Sequence, residues 1–298
     1  INIVTDVRLK RTIRDYLYNY KEYNGKNGKD IFVREIKNES GEIQDSKQRA
    51  KDFENNPQKI LEKCIDVRLF GGTIPIIKNK TSKKSNDGEE KEDKGSITFT
   101  GPVQFKFGRS LHKAEIVHIK GTGAFASEGG KEQKTFREEY ILPYSLISFY
   151  GLINENSAKY TKLTEEDIDE MLEALWNGTK NLITRTKIGQ MPRLLIRVVY
   201  KENNFHIGDL DKKIKLIKAK TSNELKEKDD KELRDISDLK IDLSDLYKEI
   251  SAVKDKVERI EIEANENVTF VLNDKEYKGR EIVKAFNDLG AILKNLDR

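Results

Sequence analysis

The chain has one cysteine, Cys64, so no disulfide can form within it, and this fits a reducing compartment such as the cytoplasm. Its three histidines, His112, His118 and His206, show no metal-ligand spacing with one another or with Cys64, which argues against a zinc site. No apolar run approaches the roughly 18 residues of a membrane span, and no signal-peptide pattern opens the sequence. No membrane partner is therefore expected. Gly121-Thr122-Gly123 lacks a following Gly-Lys-Ser/Thr and is not a phosphate-cradling loop. There is no Gly-x-Ser-x-Gly nucleophile elbow. The acidic pairs Glu165-Glu166 and Asp229-Asp230 fall in a helix start and a solvated run, without the layout of a two-metal nuclease. Neither a catalytic centre nor a cofactor is implied.

What the chain does have is charge. Charged residues make up 36% of its 298 residues, as many as the hydrophobic ones, which describes a highly charged surface around one large or two small domains. The net charge of +4 hides an uneven distribution. Gly178 to Lys201 contains no Asp or Glu, yet holds Lys180, Arg185, Lys187, Arg193, Arg197 and Lys201. Gly101 to Gly123 sets Lys106, Arg109, Lys113 and Lys120 against Glu115 alone. The compensating acid lies in Thr221 to Glu263, with nine Lys/Arg and fourteen Asp/Glu. Such polarity favours a polyanionic partner over an evenly solvated surface.

The first seventeen residues focus that charge. Thr5 or Asp6 is a natural N-cap, and Leu9, Ile13, Tyr16, Leu17 and Tyr20 repeat at the spacing of one apolar helix stripe. Arg8, Lys10, Arg11 and Arg14 fan across the other side, with no carboxylate between Asp6 and Asp15. Taken alone, such a charged helix face is more often only solvated. Packed through Leu9 and Ile13, the helix would hold a fixed row of cations towards an extended anion such as a nucleic-acid backbone.

Along the chain, Ile31-Phe32-Val33 reads as a short strand, and 46–54 and 57–64 as helices, with Pro57 at a tolerated first-turn position. Ile65 to Phe70 alternates like a half-buried strand. Residues 78–95 are low-complexity and read as a mobile loop or hairpin tip. A strand over 96–107, broken at Gly101-Pro102, is expected to pair with 115–119. Another strand covers 136–142, followed by an aromatic helix over 143–153. Thr164 to Asp167 resembles a capping box, after which Ile168, Met171, Leu172, Leu175 and Trp176 form a buried face. Strands follow at 193–200, 214–217 and 268–272. Leu243, Leu246, Ile250, Val253, Val257 and Ile260 space like a short coiled-coil helix that either meets a partner or packs on its own domain. A last helix spans 280–296.

Five segments, taken in order, resemble the backbone subunit of type I CRISPR Cascade complexes in its subtype I-B form. They are Val4 to Leu17, Asp66-Val67-Arg68-Leu69-Phe70-Gly71-Gly72, Thr100 to Phe105 with Gly108 to His112, Tyr140-Ile141-Leu142-Pro143-Tyr144, and Thr184 to Leu194. From about Ile214 onward the likeness is loose. The resemblance implies an α+β chain with an RRM-like (ferredoxin-like) antiparallel core, an inserted helical region and a protruding thumb. That core would cover 1–220, with an acidic, helix-rich region over 221–298 packing on it. It also implies a binding protein, not an enzyme. Copies would assemble head to tail along a CRISPR guide RNA, beside other Cascade subunits, and leave the guide free to pair with target DNA.

Carried over by position, the resemblance assigns Thr5, Arg8, Lys10, Arg11 and Arg14 to guide-RNA phosphates. Gln104 would reach the sugar edge, with Arg109, Ser110 and His112 following. Arg185, Lys187 and Gln190 would form a second contact, and Met191 fits an apolar wedge beside a displaced base or a packed core residue. The thumb is placed at 202–212, around Phe205 and His206. Members of the family carry a strand before the basic helix, and Ile1 begins after it, so trimming of that strand is expected. The stacking aromatics of ordinary RRM strands are not recognisable, so contact should be independent of guide sequence. Two other readings stay open. One is a metal-independent ribonuclease using His112 with Lys113 or Arg109. The other is a structural module that docks through 243–260 without RNA.

Overall fold

A hydroxyl side chain stands where the first helix begins. In the computed structural model, which describes residues 1–38, 40–78, 93–122, 136–219 and 228–297, Ile3–Val4 (β1) leads through Thr5 into α1 (Asp6–Tyr20). Thr5 Oγ1 accepts from the Arg8 backbone N–H and satisfies one of the free donors of the first turn. Thr12, Ile13 and Leu17 are buried, so the apolar stripe is the packing face. Ile31 is irregular and residues 32–34 form bends, in place of the expected strand over 31–33. Two short helices follow, α2 (Ser46–Lys51) and α3 (Pro57–Lys63), capped by Asp45 and Asn56.

Ile65–Phe70 is a helix, α4, not the expected strand. The alternation misleads because the polar position is buried too: Asp66 points inward and accepts an ion pair. The chain then enters β2 (Gly71–Lys78), which pairs antiparallel with β3 (Asp93–Thr100). At this turn Gly71 has φ +68°, and a Cβ there would lie 2.1 Å from the Phe99 carbonyl oxygen. Only glycine fits such a backbone crossing. Residues 79–92, most of the low-complexity stretch, lie outside the described residues.

Six short strands come next: β4 (Val103–Phe105), β5 (Gly108–Ser110), β6 (Val117–Thr122), β7 (Phe136–Ile141), β8 (Ile147–Ser148) and β9 (Gly151–Ile153). The β6 strand pairs with β7, not with the 96–107 segment, whose β3 and β4 portions pair instead with β2 and β9. The expected 143–153 helix is absent. Its residues instead extend two small antiparallel sheets, ordered β1-β5-β8 and β4-β9. Helices α5 (Glu155–Thr161) and α6 (Glu165–Lys180) follow, and α6 opens with the anticipated Thr164/Asp167 capping box. The α1 helix packs on α6, where a Cβ on Gly178 would lie 3.0 Å from Tyr16 Cβ.

The remaining elements are β10 (Leu194–Tyr200), β11 (Lys215–Lys218), β12 (Leu239–Asp242), α7 (Ser244–Ser251), β13 (Val257–Ala264), β14 (Thr269–Leu272), β15 (Lys275–Lys278), α8 (Ile282–Ala285) and β16 (Ala291–Leu293). The 243–260 spacing does not make one long helix. Leu246 and Ile250 pack from α7, a tight turn follows, and Val257 and Ile260 reach the same core from a strand. The expected 280–296 helix stops after one turn, and Gly290 at φ +73° redirects the chain into β16. Residues 228–297 thus carry five strands beside two short α-helices and several single helical turns.

Two sheets order this half, β10-β13-β16 and β11-β12-β14-β15, with parallel pairing at β13/β16 and β12/β14. The β10 strand divides two cores. Leu194, Ile196 and Val198 pack into the core of the C-terminal strands, whereas Leu195 joins Ile13, Leu17, Met171 and Trp176 under α1 and α6. The α6-facing side of that sheet carries buried charge. Glu261 accepts from Arg197 (3.2 Å), Arg259 (3.0 Å) and Lys294 (3.3 Å). Burial pushes its carboxyl up, and these cations more than offset that, leaving it below its usual range. The whole is a mixed α+β fold of small sheets with helices packed on them.

Candidate nucleic-acid interface

The four cations of α1 divide between two sides of the buried stripe. Lys10 donates to Asp6 at 2.9 Å and holds that carboxyl below its usual value. Arg14 Nε donates to Asp66 Oδ2 at 2.9 Å, and Asp66 also accepts from the Phe32 and Val33 backbone N–H groups at 2.7 and 3.1 Å. Both cations lie over the Phe70 ring, 5.7 and 5.2 Å from its centre. Arg14 is therefore committed to holding α1 against α4. Arg8 and Arg11 face the other way.

Arg11 donates to Asp15 at 2.7 Å in an exposed pair. Arg8 contacts no carboxylate among the described residues, and its Nη2 is buried without a hydrogen-bond partner. Both line a cleft of about 420 Å³ between α1 and the segment after α6. Tyr16, Asn19 and Tyr20 continue its α1 wall, Gly178 forms part of the floor, and Asn181 to Thr184 make the opposite side. The Tyr16 and Tyr20 rings stack at 5.1 Å and 27°. Sequence reading assigned both tyrosines to the apolar stripe; their position one turn apart at a helix end was the available signal.

The second expected group lies on β4 and β5. Gln104 Nε2 donates to the Gly101 carbonyl at 2.8 Å. Arg109 is exposed and makes no ion pair among the described residues, and β1/β5 pairing sets it opposite Ile3, just before α1. Ser110 and His112 are buried. Ser110 Oγ accepts from Asn2 N–H at 2.9 Å and donates to the His112 carbonyl at 2.8 Å. His112 Nε2 accepts from Leu146 N–H at 3.1 Å, which leaves Nδ1 to donate to the Lys113 carbonyl at 2.9 Å. With both ring nitrogens spent on backbone, His112 has none left for general-base work. These two residues, expected at the interface, shape the strand from inside.

The third group, 184–191, is a surface loop. Arg185 pairs with Glu139 of β7, and among the described residues the Lys187 ammonium reaches only the Thr186 hydroxyl, at 3.4 Å. Gln190 is exposed, as are Ile183, Ile188 and Met191, so Met191 does not serve as core packing. The acid-free stretch is less bare in space than in sequence. Lys180 pairs with Asp297 at 2.5 Å and Arg197 with Glu165 at 3.0 Å. The 202–212 segment is held against its surroundings: Phe205 sits edge-on to Tyr200 and under Lys256, and Asp209 pairs with Lys106 at 2.9 Å. Thr5 spends its hydroxyl on capping.

The structure thus brings Arg8, Arg11 and the foot of the 184–191 loop to one cleft, with Arg109 beside the start of the same helix. Lys10 and Arg14 turn away from it. Among the described residues, no helix is long and apolar enough to cross a membrane, and no three His, Cys, Asp or Glu side chains converge as metal ligands. A cleft edged by two guanidinium groups, whose one lining carboxylate, Asp15, is already paired with Arg11, is suited to phosphate.

Comparison with known proteins bears on the same chain. A family model described as CRISPR-associated protein Cas7 matches residues 1–244. A Haloferax volcanii protein described as CRISPR-associated protein Cas7 is 27% identical over 317 residues, spanning 99% of this chain and 86% of its own length. Two solved structures, titled CRISPR RNA-guided surveillance complex and the same complex pre-nicking, contain similar chains. Their TM-scores are 0.41 and 0.37 at 11% and 10% identity, covering 89% and 86% of this chain and 77% and 76% of theirs. With its family match running from the first residue through β12, the chain belongs to the CRISPR-associated protein Cas7 family.

Proposed function

We propose that this chain is a guide-RNA-binding backbone subunit of a type I CRISPR surveillance complex, of the subtype I-B form, and not an enzyme. Copies of it assemble along the RNA, beside other Cascade subunits, and present the guide for pairing with target DNA. Family membership supports this reading, and the unpartnered Arg8 guanidinium in the α1 cleft is the observation that carries it. Arg11, Arg109 and Lys187 extend the phosphate track. Lys10 and Arg14 act on it by fixing α1, while Gln104, Gln190 and Met191 lie near enough to the surface to touch sugar or base. The β10-β13-β16 sheet, with α6 on one face, is the natural seat of an RRM-like core. The engagement of both His112 nitrogens weighs against the ribonuclease alternative.

Salt titration of binding to single-stranded RNA tests the reading. Each lost phosphate contact lowers the log–log salt slope by about 0.7 for single strands. Arg8→Ala and Lys187→Ala should each do so, equally for unrelated RNA sequences. An unchanged slope in both variants, or loss confined to particular sequences, would contradict backbone tracking.

A further inference from the structure

We propose that the α1 cleft seats a nucleobase as well as phosphates, with Tyr20 as the stacking surface and Arg8 and Arg11 gripping the adjoining backbone. The inference rests on the RNA-binding reading and deepens it. Tyr16 supplies a fixed base for the platform: its hydroxyl donates to Glu173 at 3.1 Å, and its Cβ lies against Gly178, where an added methyl would come within 3.0 Å. Tyr20 stacks on that ring and remains 56% exposed. An exposed aromatic face backed by an immobile ring loses little entropy when a base lies on it.

The charge of the cleft fits the same ligand. Its one carboxylate, Asp15, is already paired with Arg11, while Arg8 keeps a buried donor without a partner. Arg8 and Tyr20 stand twelve residues apart, about 18 Å along the helix, so the cleft suits a short run of single strand ending on the tyrosine. Asn19 adds an amide with no partner among the described residues. The cleft of similar size around Asp30 offers no such vacancy. There Arg49 already donates to Asp30, Asp52 and two backbone carbonyls. Stacking accepts any base, because every base has a π face, so this seat is compatible with sequence-independent coating.

Oligoribonucleotides carrying 2-aminopurine at successive positions, bound to the full chain, test the proposal. One register should show fluorescence quenched on binding. Tyr20→Ala should abolish that quenching and weaken binding about 5-fold or more, whereas Tyr20→Phe should retain both. Arg8→Ala should lower the salt slope yet keep the quenching at saturation. Tyr20 is exposed at the helix end, so its truncation should leave the melting temperature unchanged. If Tyr20→Ala binds and quenches like the parent, the base seat is wrong and the RNA-binding reading stands. If the parent chain binds none of the oligonucleotides, that reading fails and the seat falls with it.

Discussion

Arg14 and Arg8 are six residues apart on one helix, yet they answer to different physics. Asp66 is 1% exposed and accepts from Arg14 and two backbone N–H groups, so removing either partner strands buried polar groups. Arg14→Ala or Asp66→Ala should cost about 3–5 kcal/mol in chemical denaturation. Arg8→Ala, which breaks no ion pair, should stay within about 0.5 kcal/mol. A wild-type midpoint for Arg14→Ala would instead free that guanidinium for phosphate. Nothing local distinguishes the two arginines. The partner of Arg14 lies 52 positions away, inside a segment whose alternation suggested a strand. His112 is hidden in the same way, since its neighbours in sequence do not reveal that Leu146 closes over its second nitrogen.

Among the elements, α1 and α6 were legible because each carries its own signals, a capping side chain and an apolar stripe. Elements defined by a partner were not. The 143–153 segment becomes strand because β4 and β5 offer free edges, and 257–264 because β10 does. A four-and-three spacing of apolar residues cannot tell one long helix from a helix and a strand feeding one core. The α1/α6 contact itself depends on Gly178, which the sequence presents as an unremarkable helical glycine. Gly178→Val should overpack it against Tyr16 and Thr12 and cost about 1–3 kcal/mol. The measurement is a shift in denaturant midpoint, accompanied by weaker RNA binding as the cleft floor rises. Unchanged values for both would mean that the helices part without consequence.

For the whole molecule, charge polarity along the chain was informative about class and misleading about place. Basic stretches that stand alone in sequence meet carboxylates from distant segments: Lys180 with Asp297, Arg185 with Glu139, Arg197 with Glu165 and Glu261. Lys294 joins the end of the chain to Asp169 of α6, and Asn177 donates to the Leu296 carbonyl, so the last residues brace the helix that carries the cleft. Of the cations expected at the interface, Arg8, Arg109 and Lys187 keep no carboxylate partner among the described residues. The most direct measurement is to purify the chain gently from its native cells and sequence the nucleic acid it carries. The account predicts CRISPR guide RNAs with many unrelated spacers, coated by several copies of the chain. Purification of assembled protein without RNA, or with RNA of one shared sequence, would contradict it.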